Sequence, residues 1–178
     1  MSRNISCRNR RKNKISLPAL DNLKVDVGCA GPGYNAAHHG LKGYIGIDIL
    51  DYGQEIVWDI ENGLPLPDNS CVAIHCSHVV EHVEDMIGLM NEFWRVLKPQ
   101  GEAHIICPHR TNESAYLVHH IRRLDKRTFE AFDFSWSPND EWKKDYDILP
   151  WKIRELVVND RKDMHFWASP KKEGGGGK

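Results

Sequence analysis

Three groups of residues in this 178-residue chain have types and spacings that could do chemistry. The first is "HVVEH", in which His78, Glu81 and His82 spell H-x-x-E-H. On one helix, two histidines a turn apart can grip zinc while the glutamate acts as base, as in inverted zinc proteases. The second is the turn "VDVGCAGPGY", where Gly28, Gly31 and Gly33 let the backbone approach a ligand closely, and Asp48 lies twenty residues beyond Gly28. A carboxylate at that distance can accept both hydroxyls of a ribose, and "GPGYNA" matches the looser dinucleotide fingerprint G-x-G-x-x-A. The third is a scatter of histidines able to take a proton near neutral pH, of which His109 stands just after the apolar run "HIICP".

These residues need elements to position them. "LKVDV" (Leu23 to Val27) is a buried-strand pattern cut off by the glycine turn, and "YIGIDI" (Tyr44 to Ile49) repeats the format and ends on an acid. "EIVWDI" (Glu55 to Ile60) and "CVAIHCS" (Cys71 to Ser77) supply two further strands. From Asp85 to Leu97, Met86, Ile87, Leu89, Met90, Phe93, Trp94 and Leu97 recur at helical spacing, and "KPQG" stops that helix before a fifth strand, "EAHIICP". "WKIRELVV" and "DMHFWAS", joined by "NDRKD", form an antiparallel hairpin. Strands alternating with crossovers predict a doubly wound α/β fold. The second and third strands are too close for a helical crossover, so the third is expected to be a short edge piece reached by a bare loop. The aromatic, charged segment 111–150 is expected to cap the substrate side, with a helix over "SAYLVHHIRRL" that carries His119 and His120.

The order of the motifs narrows the chemistry. Asp26 precedes the turn as D-x-G-x-x-G; then come "WDIENGLPLPDNSCVA", "SHVVEHVED" and "WRVLKPQG". As an ordered set, from about Leu23 to Pro108, these resemble the class I S-adenosylmethionine-dependent methyltransferases, in particular the small type 11 group. The resemblance implies a Rossmann-like, mostly parallel sheet of about seven strands in the order 3-2-1-4-5-7-6, with an antiparallel last strand. It implies transfer of a methyl group from S-adenosyl-L-methionine to an acceptor. Carried over by position, Asp26 lies near the methionine amino group and the backbone of Gly28, Cys29 and Ala30 passes beneath the cofactor. Asp48, with Ile49 beside it, holds the ribose; Asp59 and the backbone of Ile60 recognise adenine; Ser77 and His78 face the methionine end. His78 and His109 are the candidate general bases, with His82 a third. Glu81 and His82 are expected to open the crossover helix, where a glutamate suits the helix dipole. Ala30 stands where the group usually has a second glycine, at little cost if its φ is negative. No metal is expected in this reading, because "HVVEH" then follows a strand instead of lying inside a helix. Two alternatives stay open: a cofactor-binding module without catalysis, and a nicotinamide (NAD)-dependent oxidoreductase.

Composition sets the remaining bounds. Lys and Arg number 24 against 25 Asp and Glu, so no global field draws the protein to nucleic acid. Residues 1–20 read as a basic, solvated tail, 21–170 as one domain, and 171–178, with "GGGGK", as a second tail. Five cysteines without a C-x-x-C pair suit a reducing cytoplasm. No apolar run approaches the roughly 20 residues that span a bilayer. The methyl acceptor and the oligomeric state are not legible, though a small molecule is favoured over a protein.

Overall fold

The first strand has neighbours on both edges, and its apolar side chains Leu23, Val25 and Val27 enter the core. In this computed structural model, which describes residues 21–30, 40–134 and 141–172, β1 (Leu23–Val27) pairs in parallel with β2 (Ile45–Asp48) and with β4 (Cys71–Ser77). Leu23, Val25 and Val27 alternate with the exposed Lys24 and with Asp26, an acid buried near the end of the strand. β3 (Ile56–Val57) adds two residues in parallel to β2, the short edge piece expected. β5 (Leu97–Pro108) continues in parallel beside β4, and the hairpin of β6 (Trp151–Val158) and β7 (Asp163–Pro170) closes the sheet. β7 runs antiparallel to β5, and the order is β3-β2-β1-β4-β5-β7-β6. Expectations for residues 1–20 and 173–178 and for Gly31 and Gly33 fall outside the described residues.

The crossover from β4 to β5 is α1 (Met86–Val96). Met86, Leu89, Met90, Phe93 and Val96 are its buried face. Each such side chain contributes about 1.5–3 kcal/mol by leaving water, so packing outweighs the cap of about 1 kcal/mol in fixing the helix. That cap is Asp85, whose carboxylate accepts the Gly88 N–H at 2.8 Å. The helix therefore starts at Met86, and Glu81 and His82 lie in the preceding turn, not in its first turn. Glu81 is drawn inward and fully buried, which a solvent-facing first turn does not allow.

α1 also holds the chain on either side. The Arg95 guanidinium donates to both Glu92 carboxylate oxygens at 2.7 Å, to the carbonyls of Leu64 (3.0 Å) and Leu66 (2.9 Å), and to Asp68 (2.7 Å). Glu92 in turn accepts the Leu64 N–H at 2.7 Å. The "LPLPD" loop is thus clamped onto the helix by one planar fork. On the far side Asn91 donates to the Asp147 carbonyl at 2.7 Å and accepts from the Leu149 N–H, while Trp94 donates to Pro150 at 2.9 Å.

Segment 111–150 departs from expectation. The helix expected over "SAYLVHHIRRL" is a single tight turn at Glu113–Tyr116 followed by irregular chain. Its apolar residues do not share a face: Leu124 enters the core beside a bridge to His109, whereas Leu117 and Ile121 stay exposed. The Ile121 N–H is instead donated to the Glu81 carbonyl at 3.0 Å. Beyond it, α2 (Lys126–Glu130) and α3 (Trp142–Asp145) are packing elements. Phe129 stacks on Phe166 of β7 at 4.7 Å, and the buried Lys143 ammonium donates to the Asp133 carbonyl at 3.0 Å and lies over the Phe134 ring.

Arg95→Lys keeps the charge and removes the fork. It is expected to lower stability by about 1.5–3 kcal/mol, the value of hydrogen bonds to a charged group. Urea unfolding measures this, and a midpoint equal to that of the unaltered protein would show that the clamp is dispensable.

Candidate functional site

Because β1, β2, β3, β4 and β5 are parallel, the turns that follow them all emerge at one edge of the sheet, where open α/β folds bind ligands. The structure places there Gly28, Cys29 and Ala30 after β1, Asp48 and Ile49 at β2, Asp59 and Ile60 after β3, Ser77 and His78 at β4, and His109 after β5. Asp26 is two residues inside β1, in register with Gly46 and His75, and is buried.

These turns touch one another. Gly28 has a φ of +68°, and a Cβ there would overlap the Val79 side chain, so its turn rests on the turn after β4. Its N–H and that of Cys29 are donated to the Ile47 carbonyl at 2.8 and 3.2 Å. The Asp48 carboxylate accepts the Ala30 N–H at 2.9 Å through one oxygen and the Leu50 N–H at 2.9 Å through the other. A carboxylate has about four lone-pair sites. Asp48 therefore keeps one on each oxygen for a pair of hydroxyls, and a ribose fits it. Ile49 is 61% exposed beside it. The Trp58 N–H is donated to the Asp48 carbonyl at 2.8 Å, which brings Asp59 next to the same edge. Asp59 itself caps the short turn Ile60–Asn62 by accepting the Glu61 N–H at 3.1 Å. Ala30 has a φ of +48°, not the negative value that makes alanine cheap, so this position carries about 1–2 kcal/mol of strain. A groove of about 330 Å³ between Ile60–Gly63 and the start of α1 meets the candidate residues only at Ile60.

The two candidate bases differ. His78, also at positive φ (+56°), places Nδ1 3.4 Å from the Glu81 carboxylate. The His78 side chain is 47% exposed and that of Glu81 is 1% exposed. Nδ1–H facing a carboxylate leaves the Nε2 lone pair free to accept a proton. The Glu81 carboxylate raises the His78 pKa above the ordinary histidine value; partial burial opposes this and the charge of Asp163 reinforces it. His109 has the opposite arrangement: its Nδ1 lies 2.8 Å from the Thr111 hydroxyl and accepts the Thr111 N–H at 3.4 Å. That acceptor role puts the ring proton on Nε2, so the outward nitrogen of His109 is a donor.

"HVVEH" does not make the grip of an inverted zinc protease. His78 turns to Glu81, whereas His82 donates Nδ1–H to the His119 carbonyl at 3.2 Å. Sequence reasoning missed two further residues. Glu61 accepts the Glu84 N–H at 2.6 Å, joining the turn after β3 to the approach to α1. Arg122 donates to the Val80, Val83 and Glu84 carbonyls and ties segment 117–124 to the turn after β4. Neither contact has a local signature, because the partners stand 23 and about 40 positions apart. Cys29, Cys71, Cys76 and Cys107 are free and buried; burial first, then the charges of Asp26 and Asp48, push the Cys29 thiol up to about 12. No helix among the described residues is long and apolar enough to cross a membrane.

This sheet order, with a hairpin whose last strand is antiparallel, is that of the Rossmann-like methyltransferases. Residues 25–105 match the model of the type 11 family described as "Methyltransferase domain". A type 11 structure from Sulfolobus solfataricus is similar over 87% of this chain and 87% of its own, at 19% identity and a TM-score of 0.58. An S-adenosylmethionine-dependent methyltransferase from Aquifex aeolicus is similar over 84% and 83%, at 16% identity and a TM-score of 0.57. Another from Thermotoga maritima is similar over 88% and 84%, at 15% identity and a TM-score of 0.58. At such identities these likenesses bear on the fold. Comparison with curated proteins gives no match.

The His78–Glu81 pair makes a prediction independent of any substrate. The His78 ring should titrate above the usual 6.5 or so, and Glu81→Gln should bring it down, since removing the anion removes what favours the imidazolium. Folding stability from this pair is then complete below the unfolded value and lost as pH rises through the folded one. Proton NMR of the His78 ring would check this, and an unchanged titration in Glu81→Gln would break the coupling.

Proposed function

We propose that the chain methylates an acceptor bearing a protonated nucleophile, an O–H or N–H, and that His78 removes the proton. The His78–Glu81 pair carries this reading: a buried carboxylate beneath a half-exposed imidazole, at the ligand edge, with Nε2 left free. S-adenosylmethionine supplies an electrophilic methyl on a sulfonium and leaves as S-adenosylhomocysteine. The protein's share is to hold, orient and deprotonate. Asp48 would accept the ribose hydroxyls, with Ile49 beside it. Asp59 and the Ile60 backbone would meet the adenine edge, and the backbone of Gly28, Cys29 and Ala30 would lie under the cofactor. Asp26 would fix the methionine end through the base of that turn, and Ser77 would face the same end. His78 Nε2 then takes the acceptor proton while Glu81 holds the ring and stabilises its charge. His109 is better suited to donate a hydrogen bond to the acceptor.

The acceptor side is the segment after β5. Tyr116, Leu117, Val118 and Ile121 are exposed there, Val118 fully. Apolar groups at that position favour a small acceptor with an apolar portion beside its nucleophile.

Two measurements bear on this. Asp48→Ala should weaken S-adenosylhomocysteine binding by about 1.5–3 kcal/mol in calorimetry, the value of a hydrogen bond to a charged group; unchanged affinity would remove Asp48 from the ribose site. In assays that follow S-adenosylhomocysteine release with panels of alcohols, phenols and amines, His78→Ala should lower kcat roughly 10²–10⁴-fold with cofactor affinity intact. Full turnover in that variant would exclude His78 as the base.

A further inference from the structure

The histidines that the methyl-transfer reading leaves unused gather beside it. His82 comes from the turn after β4, and His119 and His120 from the irregular segment after β5. One ring nitrogen from each lies within 4.8 Å of those of the other two. The His82 and His119 rings stack at 5.1 Å, and His120 meets both edge-on at 4.6 and 4.8 Å.

We propose that His82, His119 and His120 form a binding site for a divalent transition-metal ion with the nitrogen preference of zinc, which latches the segment after β5 to the turn after β4. Three details support a ligand. A carbonyl can only accept, so the 3.2 Å contact from His82 Nδ1 to the His119 carbonyl puts the His82 proton on Nδ1 and leaves Nε2 as a metal donor. His120 Nδ1 is buried without a hydrogen-bond partner, a cost that a metal bond would remove. The Glu81 carboxylate, fully buried, supplies negative charge near His120.

The two segments are already held together. Ile121 N–H is donated to the Glu81 carbonyl, and the Arg122 guanidinium is spent on the carbonyls of Val80, Val83 and Glu84. Two zinc–imidazole bonds of about 2.0–2.1 Å span at most about 4.2 Å, so nitrogens as far apart as 4.8 Å would draw together slightly around the ion. Three imidazoles leave a fourth position for water.

The test uses the full chain, free of any affinity tag and stripped of metal. Zn²⁺ and Co²⁺ should each bind one equivalent by calorimetry, Mg²⁺ should not, and Zn²⁺ should raise the melting temperature. Bound Co²⁺ should give the intense visible bands of a four-coordinate site. His119→Ala, an exposed position that leaves the fold intact, should weaken Zn²⁺ binding about tenfold or more, and His82→Ala with His119→Ala should abolish it. Absence of binding in the unaltered protein, or binding of equal strength in the double variant, would overturn the proposal. Neither result bears on methyl transfer, because no readout is turnover.

Discussion

Parallel pairing around β1 is the constraint on which the rest of the molecule depends. A strand with parallel partners on both edges forces each following connection to return to the same end of the sheet. The turns after β1 to β5 therefore emerge together, although the residues they carry are spread from Gly28 to His109. The turns are then locked to one another by contacts that also shape the site. Asp48 takes the Ala30 N–H, Gly28 leaves room for Val79, and the His78 N–H is donated to the Ile106 carbonyl at 2.8 Å. A ligand at this edge meets groups whose positions were fixed by backbone hydrogen bonds before it arrived, which reduces the ordering it must induce.

α1 converts that local order into a frame. Its inner face is held by apolar burial, and its polar side chains are spent on backbone groups that no strand satisfies. Arg95 and Glu92 take the free carbonyls and N–H of the proline-containing loop after β3; Asn91 and Trp94 take those before β6. The conjunction of "LPLPD" with "EFWR" thus has a plain cause. A loop with two prolines has few donors of its own, and the guanidinium fork supplies donors to its carbonyls.

How much was legible follows from how local each signal was. The seven strands, the hairpin and α1 were readable because alternation, helical spacing and glycine–proline stops act over ten residues or so, whereas the order of the sheet came only with the resemblance carried by the ordered motifs. The stretch Ser114–Leu124 misled for the same reason: its spacing fits a helix, but Leu124 is claimed by the core, and the backbone of Ile121 by Glu81, 40 residues away. The start of α1 was misplaced because Glu81 resembles a first-turn acid and is instead a buried partner of His78. Asp48 was placed at the ligand edge by its position after a strand, yet its grip on the Ala30 N–H was invisible, since nothing in "GIDI" records where the previous turn folds back.

The fate of "HVVEH" shows why residue types alone do not define a site. On a helix, His78 and His82 would project side by side and Glu81 would lie next to them. Here His78 takes a left-handed φ of +56°, which breaks helical continuity at the first histidine. One carboxylate and two imidazoles are thereby separated into different environments: a buried acid under a half-exposed ring on one side, and on the other a ring facing two more histidines. Maintaining this arrangement costs strain at His78 and an acid desolvated with little hydrogen bonding. The same positive φ that breaks the helix at His78 is what turns its ring back over Glu81, so the strain and the separation of the two histidines have one cause.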